Sequence, residues 1–262
     1  MSAGPDALPD SGVRARYVLR LADTSLVLAQ RLSEWIGHAP ALEEELGLAN
    51  IALDLLGRAR SLLAYAGELE GGSRSEEELA YQRSAGEFLN ATLAEQPNRD
   101  FAVAIVRQVL LDAYHLALFE QLAHSRDAKL AELASKSLTE TRYHYRYGSS
   151  WLARLGDGTD ESRRRVIAAL EELWPFTGEL SEADEIDEAM AAAGHAPHPS
   201  EVAVRWSALI DEALGEATLI RPVEMPRAGL VPCGRRGEHT EHLGSLLAEL
   251  QYLPRRYPGT RW

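Results

Sequence analysis

The chain has 262 residues, 45% of them hydrophobic and 26% charged, at a net charge of −13, which is ample for a packed core and excludes wholesale disorder. Its 27 Lys and Arg against 40 Asp and Glu lack the basic footprint that a phosphate backbone requires, so nucleic acid is not an expected partner. Three further features predict a soluble, cytoplasmic protein with no membrane partner. No stretch approaches the ~18 uncharged apolar residues of a membrane span, since the best candidate, Leu46 to Leu56, is broken by Asn50 and Asp54. The start Met1-Ser2-Ala3-Gly4-Pro5-Asp6 has neither the basic end nor the apolar stretch of a secretory signal, and the lone Cys233 can form no internal disulfide or thiolate cage.

Helical signals run the length of the chain. The first helix is expected from about Ala15 to Ile36, where Leu21, Ser25, Leu28, Leu32 and Trp35 recur at steps of four and three. His38-Ala39-Pro40 makes a turn, with Pro40 suited to the first turn of the next helix. That second helix, about Leu42 to Glu70, has two apolar faces. Leu46, Ala49, Leu53, Leu56 and Leu63 mark one, and Leu48, Ala52, Leu55, Ala59, Leu62 and Ala66 the other. Only a narrow stripe of Asn50, Asp54, Gly57, Ser61, Tyr65 and Glu68 remains, so the helix is expected between neighbours in the core. Gly71-Gly72-Ser73 ends it, and Ser75-Glu76-Glu77-Glu78 has the capping-box form and opens a helical stretch reaching about Ala94.

Asp100 is a good N-cap for a third long helix, Phe101 to Ala123, and a fourth runs from about Ala128 to Leu155 before Gly156-Asp157-Gly158. Two long pairs with short connections are the pattern of an antiparallel four-helix bundle. Helical additions follow: Glu161 to Leu180 with a break at Pro175, Glu182 to Ala193, Ser200 to Leu219, and Glu238 to Leu253 after a Pro- and Gly-rich segment from Arg221 to Gly237. The expected organisation is a flexible segment over residues 1–16 and one all-α domain over 17–262.

No phosphate-binding glycine loop, Gly-x-Gly-x-x-Gly or Gly-x-Ser-x-Gly turn is present. The chemistry-bearing candidates are carboxylates and histidines on apolar helices, and a four-helix bundle suggests a di-iron carboxylate site. Such a site takes one Glu from each of two helices and a Glu-x-x-His from each of the other two, because a three-residue step keeps both side chains on one face. The second helix offers Asp54 and, three on, Gly57; no histidine lies between His38 and His115. The third offers Asp112 and His115. The fourth offers Glu140 and His144, spaced by four, with Thr141 at the three-residue position. The first has only Asp23 and Glu34, neither in the middle of its stripe. The pattern describes a degenerate site, so no catalytic, metal or cofactor residue is expected.

Each candidate also has a plainer reading. Asp112 with His115, and Glu140 with His144, suit buried structural pairs in which a carboxylate orients an imidazole. Asp54 in apolar surroundings needs an Arg or Lys on a facing helix, with Lys129 and Lys136 as options. Glu238, His239, Glu241 and His242 form a denser cluster, either lining a pocket or interface or simply starting a helix. Arg163-Arg164-Arg165, Arg235-Arg236 and Arg255-Arg256 are either solvated faces and loops or anion contacts.

From about Tyr17 to Trp262 the chain resembles the C subunits (PaaC) of the multicomponent phenylacetyl-CoA 1,2-epoxidases, also called phenylacetate-CoA oxygenases. The resemblance rests on ordered blocks: Arg31-Leu32-Ser33-Glu34-Trp35 with His38-Ala39-Pro40, then Leu48-Ala49-Asn50-Ile51-Ala52-Leu53-Asp54-Leu55-Leu56-Gly57, and Glu95-Gln96-Pro97-Asn98 before Phe101-Ala102. It continues through Asp112-Ala113-Tyr114-His115, Arg142-Tyr143-His144, Ala183-Asp184-Glu185-Ile186-Asp187 and His239-Thr240-Glu241-His242-Leu243-Gly244. It implies a ferritin-like fold with additional C-terminal helices and a structural, non-catalytic role in phenylacetate catabolism. In that family a homologous catalytic subunit, PaaA, holds the di-iron centre and binds the CoA thioester. A small subunit, PaaB, bridges the assembly, and a reductase with FAD and an iron–sulfur cluster passes electrons from NADPH. The overall reaction takes phenylacetyl-CoA and O₂ to the ring-1,2-epoxide, with no cofactor expected in PaaC itself. A homo-dimer is expected for the isolated chain.

Two other functions fit the residues: an iron oxygenase with an irregular site built from Asp54, Asp112, His115, Glu140 and His144, or a free-standing helical adaptor. Iron analysis separates the first from the structural role, and co-purification separates the second.

Overall fold

The computed structural model describes residues 10–223 and 231–260. All regular elements among them are helical: α1 (Ser11–Glu34), α2 (Leu42–Leu69), α3 (Glu76–Tyr81), α4 (Thr92–Glu95), α5 (Phe101–Leu122), α6 (Ala128–Gly156), α7 (Asp160–Leu173), α8 (Glu185–Ala192), α9 (Pro199–Glu216), α10 (Glu241–Leu250) and α11 (Tyr252–Arg256), with short 3-10 turns at Ala85–Glu87, Trp174–Leu180 and Gly234–Arg236. Two compact units are distinguished, a subdivision that composition did not signal. One holds residues 10–97 and 232–260; the other holds 98–223 and Val231.

The first unit is built on the α1–α2 hairpin. Asp10 caps α1 through Gly12 N, and the helix starts at Ser11 rather than Ala15. Residues 11–16 are therefore helical, with Ala15 buried, and do not belong to a flexible lead. Residues 1–9 lie outside the described chain. In the turn, Glu45 reaches back from the first turn of α2, accepting from Gly37 N and, at 3.1 Å, from Ala39 N. A carboxylate in the first turn of the helix thus fastens the preceding turn, while Ala41 gives α2 no side-chain cap and Pro40 sits ahead of the helix rather than in it. At the other end Gly71 and Gly72, at φ +82° and +73°, reverse the chain, and Gly72 N donates to Gly67 O at 2.9 Å.

Leu28, Leu32, Leu48, Ile51 and Leu55 fill the seam and are fully or almost fully buried, each contributing roughly 1.5–3 kcal/mol by leaving water. This packing decides between the two apolar faces of α2. The face of Leu48, Ala52, Leu55, Ala59, Leu62 and Ala66 is buried, whereas Leu46, Leu53 and Leu56 are exposed. Among the described residues α2 is therefore packed on one face and not between neighbours, contrary to the expectation from its composition.

The capping box at Ser75 and Glu78 is present, but the helix it opens stops at Tyr81 instead of reaching Ala94. The cause is Asp23, fully buried on α1. It takes the Arg83 guanidinium, at 2.9 Å from Nη1 to Oδ2 and with Nη2 on Oδ1, together with Leu89 N at 2.8 Å. Ala91 N donates to Thr24 Oγ1 at 3.0 Å, so residues 88–91 run extended along α1. Hydrogen bonds to α1 replace those of a helix.

The second unit is built on the α5–α6 hairpin, capped by Asp100 on Val103 N at 3.0 Å and by Asp127 on Leu130 N at 3.1 Å. Gly148 on α6 lets the two backbones close: a Cβ there would lie 2.9 Å from Val109 Cγ2. Pro175 ends α7 as expected, and a 3-10 turn follows. α9 is pinned by Trp206 Nε1 on Leu110 O at 3.0 Å and by Tyr145 Oη on Leu209 O at 2.6 Å. Among the described residues α5, not Leu46–Leu56, is long and apolar enough to cross a bilayer, yet 89% of its most apolar stretch is buried inside the chain, as a core helix requires.

Candidate functional site

The expected site residues do not form one cluster, and their environments differ sharply. On α5, Asp112 is fully buried; its Oδ2 accepts from Gln108 Nε2 at 2.8 Å, one turn earlier. His144 of α6, also fully buried, brings Nδ1 to 4.0 Å from Asp112 Oδ1, too long for a hydrogen bond. His115 lies beside Phe119 with ring centroids 5.6 Å apart and planes at 11°, a stacked aromatic contact. Glu140 is half-buried. Thr141, one turn before His144, is the fully buried residue, and its hydroxyl donates to Ser137 O at 2.8 Å. The three-residue face that would carry Glu-x-x-His on α6 therefore reads Thr141-x-x-His144.

On α2 the structure corrects the sequence argument. Asp54 is half-buried and Gly57 exposed, and a Cβ at Gly57 would meet nothing within 4 Å. Gly57 does not face the hairpin seam, and Asp54 lies only at its edge, one turn before Arg58. The face that does, Leu48 through Ala66, has Arg58, 4% exposed, as its buried charged side chain and carries no Asp, Glu or His. On α1 the buried carboxylate is Asp23, whose two oxygens hold Arg83 and Leu89 N; Arg20 and Arg31 are also buried on this helix. Among the described residues no group of three His, Cys, Asp or Glu is arranged to hold a metal ion.

The histidine cluster near the C-terminus resolves into a different device. Glu238 and His239 precede α10 instead of lying on it, and Glu238 and Glu241 are exposed. His239 turns inward to Glu95, which is fully buried at the end of α4. Glu95 Oε2 accepts from His239 Nδ1 and from Asn90 Nδ2, each at 2.9 Å; Oε1 accepts from Thr240 N at 2.6 Å and from Thr240 Oγ1 at 2.8 Å. Arg31 binds Glu95 O through Nη2 at 2.7 Å and reaches His242 O at 3.3 Å. This node ties the C-terminal arm to α1 and α4. It joins Arg31, Glu34, Glu95, His239 and His242, which lie in blocks far apart along the chain.

The arginine clusters are structural where the structure fixes them. Arg163 donates to Gly156 O and to Thr218, Arg235 is buried and lends its carbonyl to Arg20 Nε at 3.1 Å, and Arg255 donates to the carbonyls of Tyr81, Gln82 and Arg83. Pro226 and Gly229 of the irregular segment fall outside the described residues.

A family model described as phenylacetic acid catabolic protein (PaaA_PaaC) matches residues 8–262. The C subunit of 1,2-phenylacetyl-CoA epoxidase from Escherichia coli (strain K12) is 50% identical over 247 residues, 94% of this chain and 98% of that protein. Among solved structures, Protein 19 with aldehyde deformylating oxidase activity from Synechococcus aligns at a TM-score of 0.52 and 18% identity, covering 80% of this chain and 88% of the other. That likeness speaks for the fold alone, and it bears out the all-α, ferritin-like class expected from sequence.

Proposed function

The chain belongs to the phenylacetic acid catabolic protein family, with a role in phenylacetate catabolism, and from that membership we propose that it is the structural, non-catalytic subunit of a phenylacetyl-CoA 1,2-epoxidase. In this reading it works in the cytoplasm and binds and stabilises the homologous catalytic subunit, PaaA. The bridging subunit PaaB and the NADPH-dependent reductase, with its FAD and iron–sulfur cluster, complete the assembly.

One observation carries the non-catalytic half: the buried face of α2 supplies a guanidinium, Arg58, and no carboxylate or imidazole. A dinuclear iron centre needs a Glu-x-x-His from that helix. An arginine, charged at every accessible pH, opposes a divalent cation instead of binding it. Asp23 on α1 and Thr141 on α6 point the same way: one carboxylate is committed to Arg83, and a hydroxyl bonded to its own helix stands where a carboxylate is required. The residues present do not fit a di-iron group, so no reaction step is assigned to this chain. What it offers PaaA is a rigid helical surface, which an oxygenase needs to hold its metal ligands in place.

The test is twofold. The purified chain, loaded anaerobically with ferrous iron and desalted, should retain far less than one iron per chain, and it should restore full turnover to PaaA, PaaB and reductase that are sluggish or unstable without it. Near-stoichiometric iron with turnover by the chain alone would establish the oxygenase alternative. Failure to associate with PaaA would establish the adaptor.

A further inference from the structure

A pocket of about 460 Å³ opens in the second unit, among α5, the 3-10 turn that follows α7, and α9. Tyr114, Trp174, Leu180 and Trp206 supply apolar wall, and Ser207 and Arg221 add polar groups. Arg221 is the one charged side chain lining it among the described residues. The aromatic walls are set before anything binds. Trp174 and Trp206 are 1% and 8% exposed, their ring centroids lie 5.8 Å apart, and Trp206 Nε1 is held by Leu110 O. A concave, mainly apolar pocket with a few polar groups is the ordinary form of a small-molecule site, and this volume falls in the usual range of roughly 300–1,000 Å³. The structural role proposed above makes no use of it.

We propose that this pocket binds a small aromatic monocarboxylate, with its ring among the aromatic walls and its carboxylate on Arg221 and Ser207. A cation is the ligand that two indoles ordinarily attract, but that place is taken. Arg221 Cζ lies 5.3 Å from the Trp174 ring centroid and 5.5 Å from that of Trp206. The guanidinium keeps capacity for an anion. Its Nη1 donates to Ser207 Oγ at 2.8 Å and lies 3.2 Å from Asp211 Oδ1, whereas Nε and Nη2 have no hydrogen-bond partner among the described residues. The pair with Asp211 is open to solvent, its side chains 32% and 57% exposed, and such pairs hold each other weakly. Ser207 Oγ, accepting from Arg221, retains its own hydrogen to donate to a carboxylate oxygen. A single guanidinium with no lysine beside it on the wall matches one negative charge, not the two of a phosphate monoester. Trp174 Nε1, buried without a hydrogen-bond partner, is a further unmatched donor in a residue of the same wall.

The experiment is calorimetric titration of the full chain with phenylacetate as the aromatic monoanion, phenylacetamide as its neutral match and phenethylamine as its cationic match. Phenylacetate should saturate at one per chain with a dissociation constant below about 1 mM, and the amide and the amine should each bind at least about 10-fold more weakly. Arg221→Gln should weaken phenylacetate by about 10- to 100-fold and Ser207→Ala by about 3- to 10-fold. Arg164→Gln, at an arginine whose side chain is 72% exposed and outside the pocket, should bind like wild type. In the wild-type chain, intermolecular NOEs should run from the ligand ring to the indole protons of Trp174 and Trp206, a readout that does not depend on how the variants fold. Equal binding of acid and amide, or stronger binding of the amine, overturns the assigned chemistry. Undiminished affinity in Arg221→Gln, or NOEs to other indoles alone, overturns the site. A dissociation constant for phenylacetate above about 1 mM overturns both. The structural role stands in every case, since it draws nothing from this pocket.

Discussion

His239 faces an acceptor with each ring nitrogen: Nδ1 lies 2.9 Å from the Glu95 carboxylate and Nε2 lies 2.8 Å from the Phe88 carbonyl. A carbonyl cannot donate, so Nε2 carries a hydrogen and donates to Phe88 O, while a single hydrogen bond joins Nδ1 to the Glu95 carboxyl, which also accepts from Asn90 and Thr240. The pair is buried, with side-chain exposures of 6% and 0%, which makes removal of one partner expensive.

Glu95→Ala should lower the unfolding free energy by about 3–5 kcal/mol, because it strands His239 Nδ1, the Asn90 amide and Thr240 N together. His239→Ala should cost less, about 2–3 kcal/mol, since the remaining carboxylate keeps three donors. Denaturant melts give both numbers. Protease cutting within residues 232–256 should rise in parallel, because the node holds that arm. Equal protease resistance in wild type and Glu95→Ala would show that the arm is anchored elsewhere.

Asp23 and Arg83 make the second buried pair, 0% and 3% exposed. Asp23→Asn keeps the shape and removes the charge, leaving the guanidinium to Leu79 O and Glu87 O. A loss of about 3 kcal/mol is expected, with amide exchange accelerating at Leu89 and Ala91, whose N–H groups run along α1. An unchanged exchange rate at Leu89 would mean that the carboxylate does not shape the extended segment.

How much of this could be read from the chain follows from where each signal lies. Local chemistry was legible: Asp100 caps the helix it precedes, Ser75 and Glu78 form their box, and Pro175 breaks α7. Which face of α2 is inside was not, because leucines line both faces and periodicity cannot rank them. Packing against α1 decides it, and with it the roles of Asp54, Gly57 and Arg58. Asp23 lies beside the apolar stripe of α1, and its partner is 60 residues away. No spacing rule links the two. The Glu238–His242 cluster was visible as a cluster, but its partner Glu95 lies in a segment separated by most of the chain.

Tyr145 supplies a pH test in the other unit. Burial pushes its phenol above the usual 10.0, opposed by a hydrogen bond with Ser149, with Glu212 and Glu216 adding to the rise and Arg205 opposing it. Folded tyrosine then holds its proton where the unfolded chain gives it up. Its contribution is complete below pH 10 and is lost as pH climbs through the raised value. Tyr145→Phe should cost about 1 kcal/mol near neutrality, the worth of the bond to Leu209 O, and should flatten the alkaline decline in melting temperature. A decline as steep in Tyr145→Phe as in wild type would assign that decline to other groups.

The glycines of α6 give a graded packing test. A Cβ at Gly156 would lie 2.4 Å from Ala217 O, whereas one at Gly148 would lie 2.9 Å from Val109 Cγ2. A backbone oxygen cannot turn away and a methyl can shift, so Gly156→Ala should destabilise more than Gly148→Ala, within the roughly 1–3 kcal/mol typical of overpacking. The opposite order in urea melts would mean that the α6–α9 approach yields more easily than the α5–α6 seam.

Gly57 should behave in the reverse sense, because the space around its α-carbon is open. In the isolated chain Gly57→Ala should raise stability by about 1 kcal/mol, the helix-propensity difference, with no packing penalty to offset it. The same geometry separates two explanations for the lack of a histidine on α2. If Gly57 stood on the buried face, Gly57→His would restore a ligand and draw iron toward Asp54. Facing outward instead, the new imidazole reaches water, and Arg58 still occupies the buried face one residue on. Gly57→His should therefore fold with a melting temperature close to wild type and take up no more iron after ferrous loading and desalting. A gain of one iron per chain in that variant would turn α2 around and reopen the case for an oxygenase built from this chain's own side chains.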